Sequence, residues 1–269
     1  MTSVATTAFF SASAYAQTAQ PEEAAAENDA IVVTGVISSA GQNKIDTSIS
    51  VSSLSADTIA DSNPTNLAEV FRQLPGIRSE SSSGGGNSNI NVRGIPISTG
   101  GAKFLSLQED GLPILLFGDH LFAPADGFYK SDTSLARVES VRGGTASTLT
   151  TNGPGGIINL IGKTGKNGGG SLGFGIGLDH NDYRVDAEYG ANLADDLYFH
   201  VGGHFQQGGD YRNSGYDPVS GGQIRLSVTK EFDAGYVRLT GKVIDKKEQA
   251  YFPQLVSRTG NATSGVVGT

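Results

Sequence analysis

Residues 171–243 alternate apolar and polar side chains with a period of two. Leu172, Phe174, Ile176 and Leu178 are separated by small or polar residues. Val185, Ala187 and Tyr189 alternate with Arg184, Asp186 and Glu188. Leu197, Phe199, Val201 and Phe205 alternate with Tyr198, His200 and His204. Ile224, Leu226 and Val228 alternate with Gln223, Arg225 and Ser227, and Val237, Leu239 and Val243 with Arg238, Thr240 and Lys242. Side chains change face at every residue of a β-strand, so each run has one apolar and one charged face. A soluble sandwich would turn the apolar face to a core; a membrane barrel would turn it to lipid and line the lumen with charge. The connections favour the barrel. Leu193–Asp196 and Phe232–Gly235, at one rim, are short, and Gln207–Gly222, at the other, is long and polar, as barrels have short turns at one rim and longer loops at the other. His180–Asp182, on the rim of the long loop, is the short exception. Five such strands cannot close a barrel, so the expectation is a truncated wall, the front piece of a longer protein.

Residues 47–165 have a different texture, that of a compact mixed domain. Ser48–Ser52 alternates like a strand. Leu54–Ala60 reads as a short helix with Ser55 as N-cap. Leu67, Val70, Phe71 and Leu74 fall on one helical face, with Asn66 as cap, Glu69 completing a capping box and Pro75–Gly76 as the stop. Ser81–Ser88 is a Ser/Gly loop. Strands are expected at Asn89–Val92, Leu105–Gln108, Leu112–Leu116 and Gly156–Ile161, and Leu135–Arg142 reads as a helical turn running into a strand.

Ahead of this domain, residues 1–16 are small and apolar and end in Ala14-Tyr15-Ala16, a signal-peptide cleavage pattern. The first basic residue is Lys44, so the usual basic n-region is missing. Residues 17–46 form an acidic, Ala- and Gln-rich leader expected to be disordered. Within it, Asp29-Ala30-Ile31-Val32-Val33-Thr34-Gly35 is a β-prone island with no core of its own.

Composition closes off several classes. The chain has no Cys, so disulfides and cysteine metal sites are excluded. Its formal net charge of −8 opposes nucleic-acid binding. No apolar run approaches the length of a transmembrane helix. Gly156 to Gly162-Lys163-Thr164 has the wrong spacing and sequel for a phosphate loop, and Gly173–Gly177 alternates as a strand. His200 and His204 share a zinc-helix spacing, but a strand would hold them about 13 Å apart. No set of nucleophile, base and acid stands out, so neither an enzyme nor a cofactor is expected.

Taken in order, I-V-V-T-G at 31–35, L-A-E-V-F-R-Q-L-P-G-I at 67–77, I-N-V-R-G-I at 90–95, Q-E-D-G-L-P-I at 108–114, L-A-R-V-E-S-V-R-G-G-T-A-S-T-L at 135–149 and G-P-G-G-I-I-N-L-I-G-K at 153–163 resemble the TonB box and plug motifs of TonB-dependent outer-membrane receptors. Ser140 and Thr150–Asn152 depart from the usual pattern. The resemblance implies a mixed α+β plug domain followed by antiparallel strands of a transmembrane β-barrel of about 22 strands, here truncated. It implies that Asp29, Ala30, Ile31, Val32, Val33, Thr34 and Gly35 add a strand to the periplasmic domain of TonB. It implies a plug–barrel latch using Arg93, Arg137, Glu139 and Arg142. It places Phe117, His120, Phe122, Phe128 and Tyr129 on apical loops that touch a small-molecule ligand, although packing of the plug against the barrel would also account for these aromatics. The implied activity is TonB-energised import of a scarce solute, by family default a ferric siderophore or similar chelate, with a carbohydrate or cobalamin as alternatives. The implied location is the bacterial outer membrane, with lipid around the wall and no nucleic acid. A passive porin would need neither box nor plug.

Overall fold

The computed structural model describes residues 7–11, 32–33, 42–43, 50–81, 88–95, 104–114, 125–143, 150–151, 153–209, 214–248, 256–259 and 262–265. In chain order the strands are β1 (Thr7–Ser11), β2 (Val32–Val33), β3 (Gln42–Asn43), β4 (Val51–Ser55), β5 (Ile77–Ser81), β6 (Ser88–Val92), β7 (Leu105–Glu109), β8 (Leu112–Pro113), β9 (Leu135–Arg142), β10 (Gly156–Gly162), β11 (Gly169–Gly177), β12 (Asp182–Ala194), β13 (Leu197–Gly208), β14 (Val219–Phe232), β15 (Gly235–Lys247), β16 (Val256–Thr259) and β17 (Ala262–Gly265). Two helices, α1 (Ala56–Ser62) and α2 (Leu67–Arg72), lie between β4 and β5.

The helices are written in their caps. The Ser55 hydroxyl accepts the Thr58 N–H at 3.2 Å, and Asn66 Oδ1 accepts the Glu69 N–H at 3.1 Å. Glu69 reaches back as a capping-box carboxylate should, but to the Thr65 N–H at 2.7 Å, one residue ahead of the N-cap. Leu67, Val70, Phe71 and Leu74 are buried, as their spacing requires.

Five strands form the plug sheet in the order β4-β9-β10-β7-β8. β10 lies between antiparallel β9 and parallel β7 and is buried at every residue, which explains its nearly unbroken apolar run. β9 is strand over its whole length, so the helical turn expected at Leu135 is not there. The reason is pairing on both sides, with β4 and β10, which overrides a weak local preference. β5 and β6 form a separate hairpin packed against α2. Sixteen side chains from Leu54 to Leu160 make up the plug's apolar cluster, and none comes from the strands after it.

The second sheet runs β1-β11-β12-β13-β14-β15, antiparallel throughout. Its pairing is interrupted by a register shift between Asn192 and Ala194, its turns at 195–196 and 233–234 are tight, and it does not close among the described residues. β11 to β15 are the five strands expected from the alternation. The further member is β1, whose backbone lies along β11 with Thr7 opposite Gly177; it falls inside the segment read as a signal peptide. An edge strand offers unpaired N–H and C=O groups to any extended neighbour. No helix among the described residues is long and apolar enough to cross a membrane.

Burial decides between sandwich and barrel. On β11 to β15 the apolar side chains are the exposed ones: Leu172, Phe174, Ile176, Tyr189, Phe205, Ile224, Leu226, Leu239 and Val243. The polar ones are buried: Asp186, His200, His204, Gln223, Arg225, Ser227 and Thr229. This is the inverse of a water-soluble sheet and the pattern of a barrel wall whose lumen is occupied.

Candidate functional site: the plug–wall interface

Among the described residues the plug meets the inner face of the wall through polar groups in three places. The first is built on the β7–β8 hairpin. Asp110 and Gly111 have φ values of 49° and 84°, as a two-residue Asp-Gly turn demands. The turn holds Glu109 and Asp110 towards the wall. Arg225 donates from Nε to Glu109 Oε1 at 3.2 Å and from a terminal nitrogen to Asp110 Oδ2. Lys242 pairs with the other Glu109 oxygen, and Arg238 stands 3.6 Å from Asp110 Oδ1.

The second place is the segment Lys130–Ser134. Gln223 clips its backbone, accepting the Lys130 N–H at 3.1 Å and donating to the Lys130 carbonyl at 2.8 Å. Gln223 also donates to Asp132, whose carboxylate lies 3.7 Å from His204 Nδ1. Arg184, held by Asp186 at 2.6 and 2.8 Å, donates to the Ser131 carbonyl at 2.7 Å. Lys130 Nζ meets Glu248 at 2.6 Å. Burial by itself would raise the Asp132 carboxyl. The nearby His204 ring and hydrogen bonds from Ser134 and Gln223 outweigh it and hold the group below its ordinary value.

The third place follows β10. Lys163 pairs with Glu188, which also accepts from Ser171 at 2.9 Å and contacts His200 Nε2 at 2.9 Å. His200 and His204 thus face inward from one strand and contact different carboxylates. A cleft of about 370 Å3 separates α1 from β11 and β12, with Asp57, Lys163, Arg184 and Glu188 among its lining. The plug is therefore held by discrete polar clusters rather than by a shared apolar core, an arrangement that can separate without exposing a continuous greasy surface.

The residues singled out from sequence fall as follows. Arg93 donates to Ser50 Oγ at 3.1 Å. Arg142 donates to Ser52 Oγ at 2.7 Å and to the Pro75 carbonyl. Burial, then the neighbouring Arg93 charge, draws the Arg142 guanidinium below its ordinary value. Arg137 donates to the buried Glu139 at 2.8 Å, two residues along the same strand. These contacts lie within the plug. Phe128 is half exposed, but Tyr129 is fully buried in the plug cluster with Lys242 Nζ 4.6 Å from its ring centre. Tyr129 therefore lacks the exposed face that ligand contact from an apical loop requires; packing claims it. Burial, followed by the nearby Asp132 charge, pushes its phenol well above the ordinary value. Phe117, His120 and Phe122 lie outside the described residues. Of Asp29–Gly35, only the Val32–Val33 backbone is described, paired with Gln42–Asn43 and apart from the plug sheet. Sequence reasoning passed over Glu109, Asp110, Asp132, Gln223 and Arg225. The Asp-Gly turn signal was there to be used; the partners, more than ninety residues away, left none.

Fold and interface together define a class: a plug domain seated on the lumenal face of an outwardly apolar, antiparallel wall. Residues 43–157 match the family model of the TonB-dependent Receptor Plug Domain. Those residues belong to that family, and the chain carries a TonB-dependent receptor plug followed by wall strands. Solved structures of similar fold include the pyoverdine outer membrane receptor FpvA from Pseudomonas aeruginosa PAO1 bound to pyoverdine, at 19% identity and TM-score 0.60 over 75% of this chain and 28% of that one. BauA, the ferric preacinetobactin receptor from Acinetobacter baumannii, is similar at 19% identity and TM-score 0.58 over 78% and 30%. The ferric-catecholate import receptor Fiu from E. coli K12 is similar at 20% identity and TM-score 0.55 over 75% and 27%. The chain spans less than a third of the length of each of these three. No curated protein sequence matches it.

Proposed function

We propose that this chain supplies the plug and first wall strands of a bacterial outer-membrane receptor that imports a scarce solute at the expense of TonB-transduced energy. It works as a transporter and not as a catalyst. The observation that carries the reading is the family plug held on the charged face of a wall whose apolar side is exposed. A plug whose described bonds to the wall are polar clusters can be loosened by force, and Asp29–Gly35 is the segment on which that force acts. Main-chain pairing of Ile31–Thr34 with a sheet edge of TonB gives the connection. The solute is a ferric siderophore or similar chelate; three structures of similar fold are named as pyoverdine, ferric-catecholate and ferric preacinetobactin receptors. Export through the N-terminal apolar segment delivers the chain to the outer membrane.

The test is capture of purified periplasmic TonB domain by the detergent-solubilised chain, with and without Val32→Pro. Proline removes a ladder donor, so binding should fall at least tenfold, to order of magnitude, in the variant. Equal capture by both would overturn strand addition at Val32. Uptake of labelled ferric chelate by cells making the receptor, compared with labelled sugar or cobalamin, decides the solute class.

A further inference from the structure

Gly162 ends β10, and its φ is not positive, so conformational freedom does not explain a glycine there. Space does. A methyl group at position 162 would overlap Cζ and both terminal nitrogens of Arg225. The Gly162 N–H donates to Asp110 Oδ1 at 3.0 Å, and the other Asp110 oxygen accepts from Arg225. Backbone, carboxylate and guanidinium therefore close a ring around the position a side chain would take. Arg225 further donates to Glu109 at 3.2 Å and to the Lys163 carbonyl at 3.4 Å, and it is wholly buried. The β9–β10 register shifts between Ile161 and Gly162, and such a bulge re-aims the strand end.

We propose that Arg225 is the positioning residue that registers the plug against the wall, and that Gly162 is its seat. Arg238 and Lys242 add charge to the same two carboxylates, but each keeps partial exposure. Arg225 alone among these three cations is enclosed, and a fully buried guanidinium is tolerated only where its partners are in place. A plug displaced by one residue along the wall leaves that charge facing a side chain instead of a glycine. At this site the polarity is wall cation on plug carboxylate, the reverse of Lys130 with Glu248 and Lys163 with Glu188. The inference depends on the plug and the wall alone, so its failure would leave the importer reading standing.

The test is a double-mutant cycle in the full chain, folded in detergent: parent, Gly162→Ala, Arg225→Ala, and both together. Hydrogen exchange at the amides of Gly111 and Gly162, bonded at 2.9 and 3.0 Å, reports opening of the seat. Each single change should speed exchange about a hundredfold, the scale of a broken buried ion pair. The double variant should match Arg225→Ala, because the added methyl no longer has anything to displace. Effects that multiply, or a Gly162→Ala that exchanges like the parent, would overturn the proposal. Should Arg225→Ala fail to assemble, Arg225→Lys serves in its place. Lysine removes the planar fork, so the effect of Gly162→Ala should shrink in that background, and an unchanged effect would equally overturn it.

Discussion

Asp132 shows how a single plug residue ties the two sheets together. Its carboxylate accepts from Ser134 within the plug and from Gln223 of the wall, and it faces His204 and Arg184, with Tyr129 on its own side. Its folded-state pKa lies below the unfolded value, so its contribution is complete above about pH 4 and is lost as pH falls through the folded value. Asp132→Asn should cost about 1.5–3 kcal/mol at neutral pH and flatten the acid side of the stability profile. Denaturant titration of both proteins from neutral pH into the acid range measures it. A parallel acid limb in the two would show that another carboxylate is responsible. Deeper in the plug, Phe71 is fully buried on α2. Phe71→Ala should cost about 3–5 kcal/mol, seen as early melting of the plug while the wall's far-UV signal persists.

The strand is the scale at which the sequence was most readable, and the wall strands show why. Ile224, Leu226 and Val228 against Gln223, Arg225 and Ser227 specify two faces without any knowledge of neighbours, since the pleat alone separates them. Which face is buried was not legible in the alternation itself, which a sandwich and a barrel share; connection lengths and motif order favoured the barrel, and the plug on the charged side bears that out. A direct consequence concerns Leu226, outward-facing near the middle of β14. Leu226→Arg should cost about 2–4 kcal/mol on folding into a bilayer. A soluble sheet with that face in water would lose almost nothing, and denaturant titration in lipid vesicles separates the two. α2 was legible because Asn66 and Glu69 cap it locally. The turn into β9 was misread because pairing with β4 and β10 is a non-local term. The expected latch drew attention to Arg93, Arg137, Glu139 and Arg142, whereas the wall contacts described above run through Glu109, Asp110, Lys130, Asp132 and Lys163. No local pattern distinguishes a carboxylate that pairs across more than a hundred residues from one that meets water.

At the scale of the whole molecule, two bodies with opposite chemistry share one charged interface. The plug has an apolar cluster of its own, and the wall turns its apolar face outward. Among the described residues, what joins them is polar, specific in geometry and open to water along the cleft beside α1. Such a joint holds a plug in register, and in the proposed importer it is the joint that a pull on the leader would have to part. Its most direct test is a disulfide between the bodies. The chain contains no cysteine, and a Cβ built on Gly202 of β13 would stand 3.0 Å from Ser134 Cβ of the plug. Disulfides need about 3.5–4.5 Å between Cβ atoms, which a shift of a few tenths of an ångström provides. Ser134→Cys combined with Gly202→Cys should form an intramolecular disulfide on mild oxidation of the folded protein, identified as a linked peptide pair by mass spectrometry. Two thiols that stay free to alkylation, or that join only between separate molecules, would contradict a plug seated on the inner face of this wall.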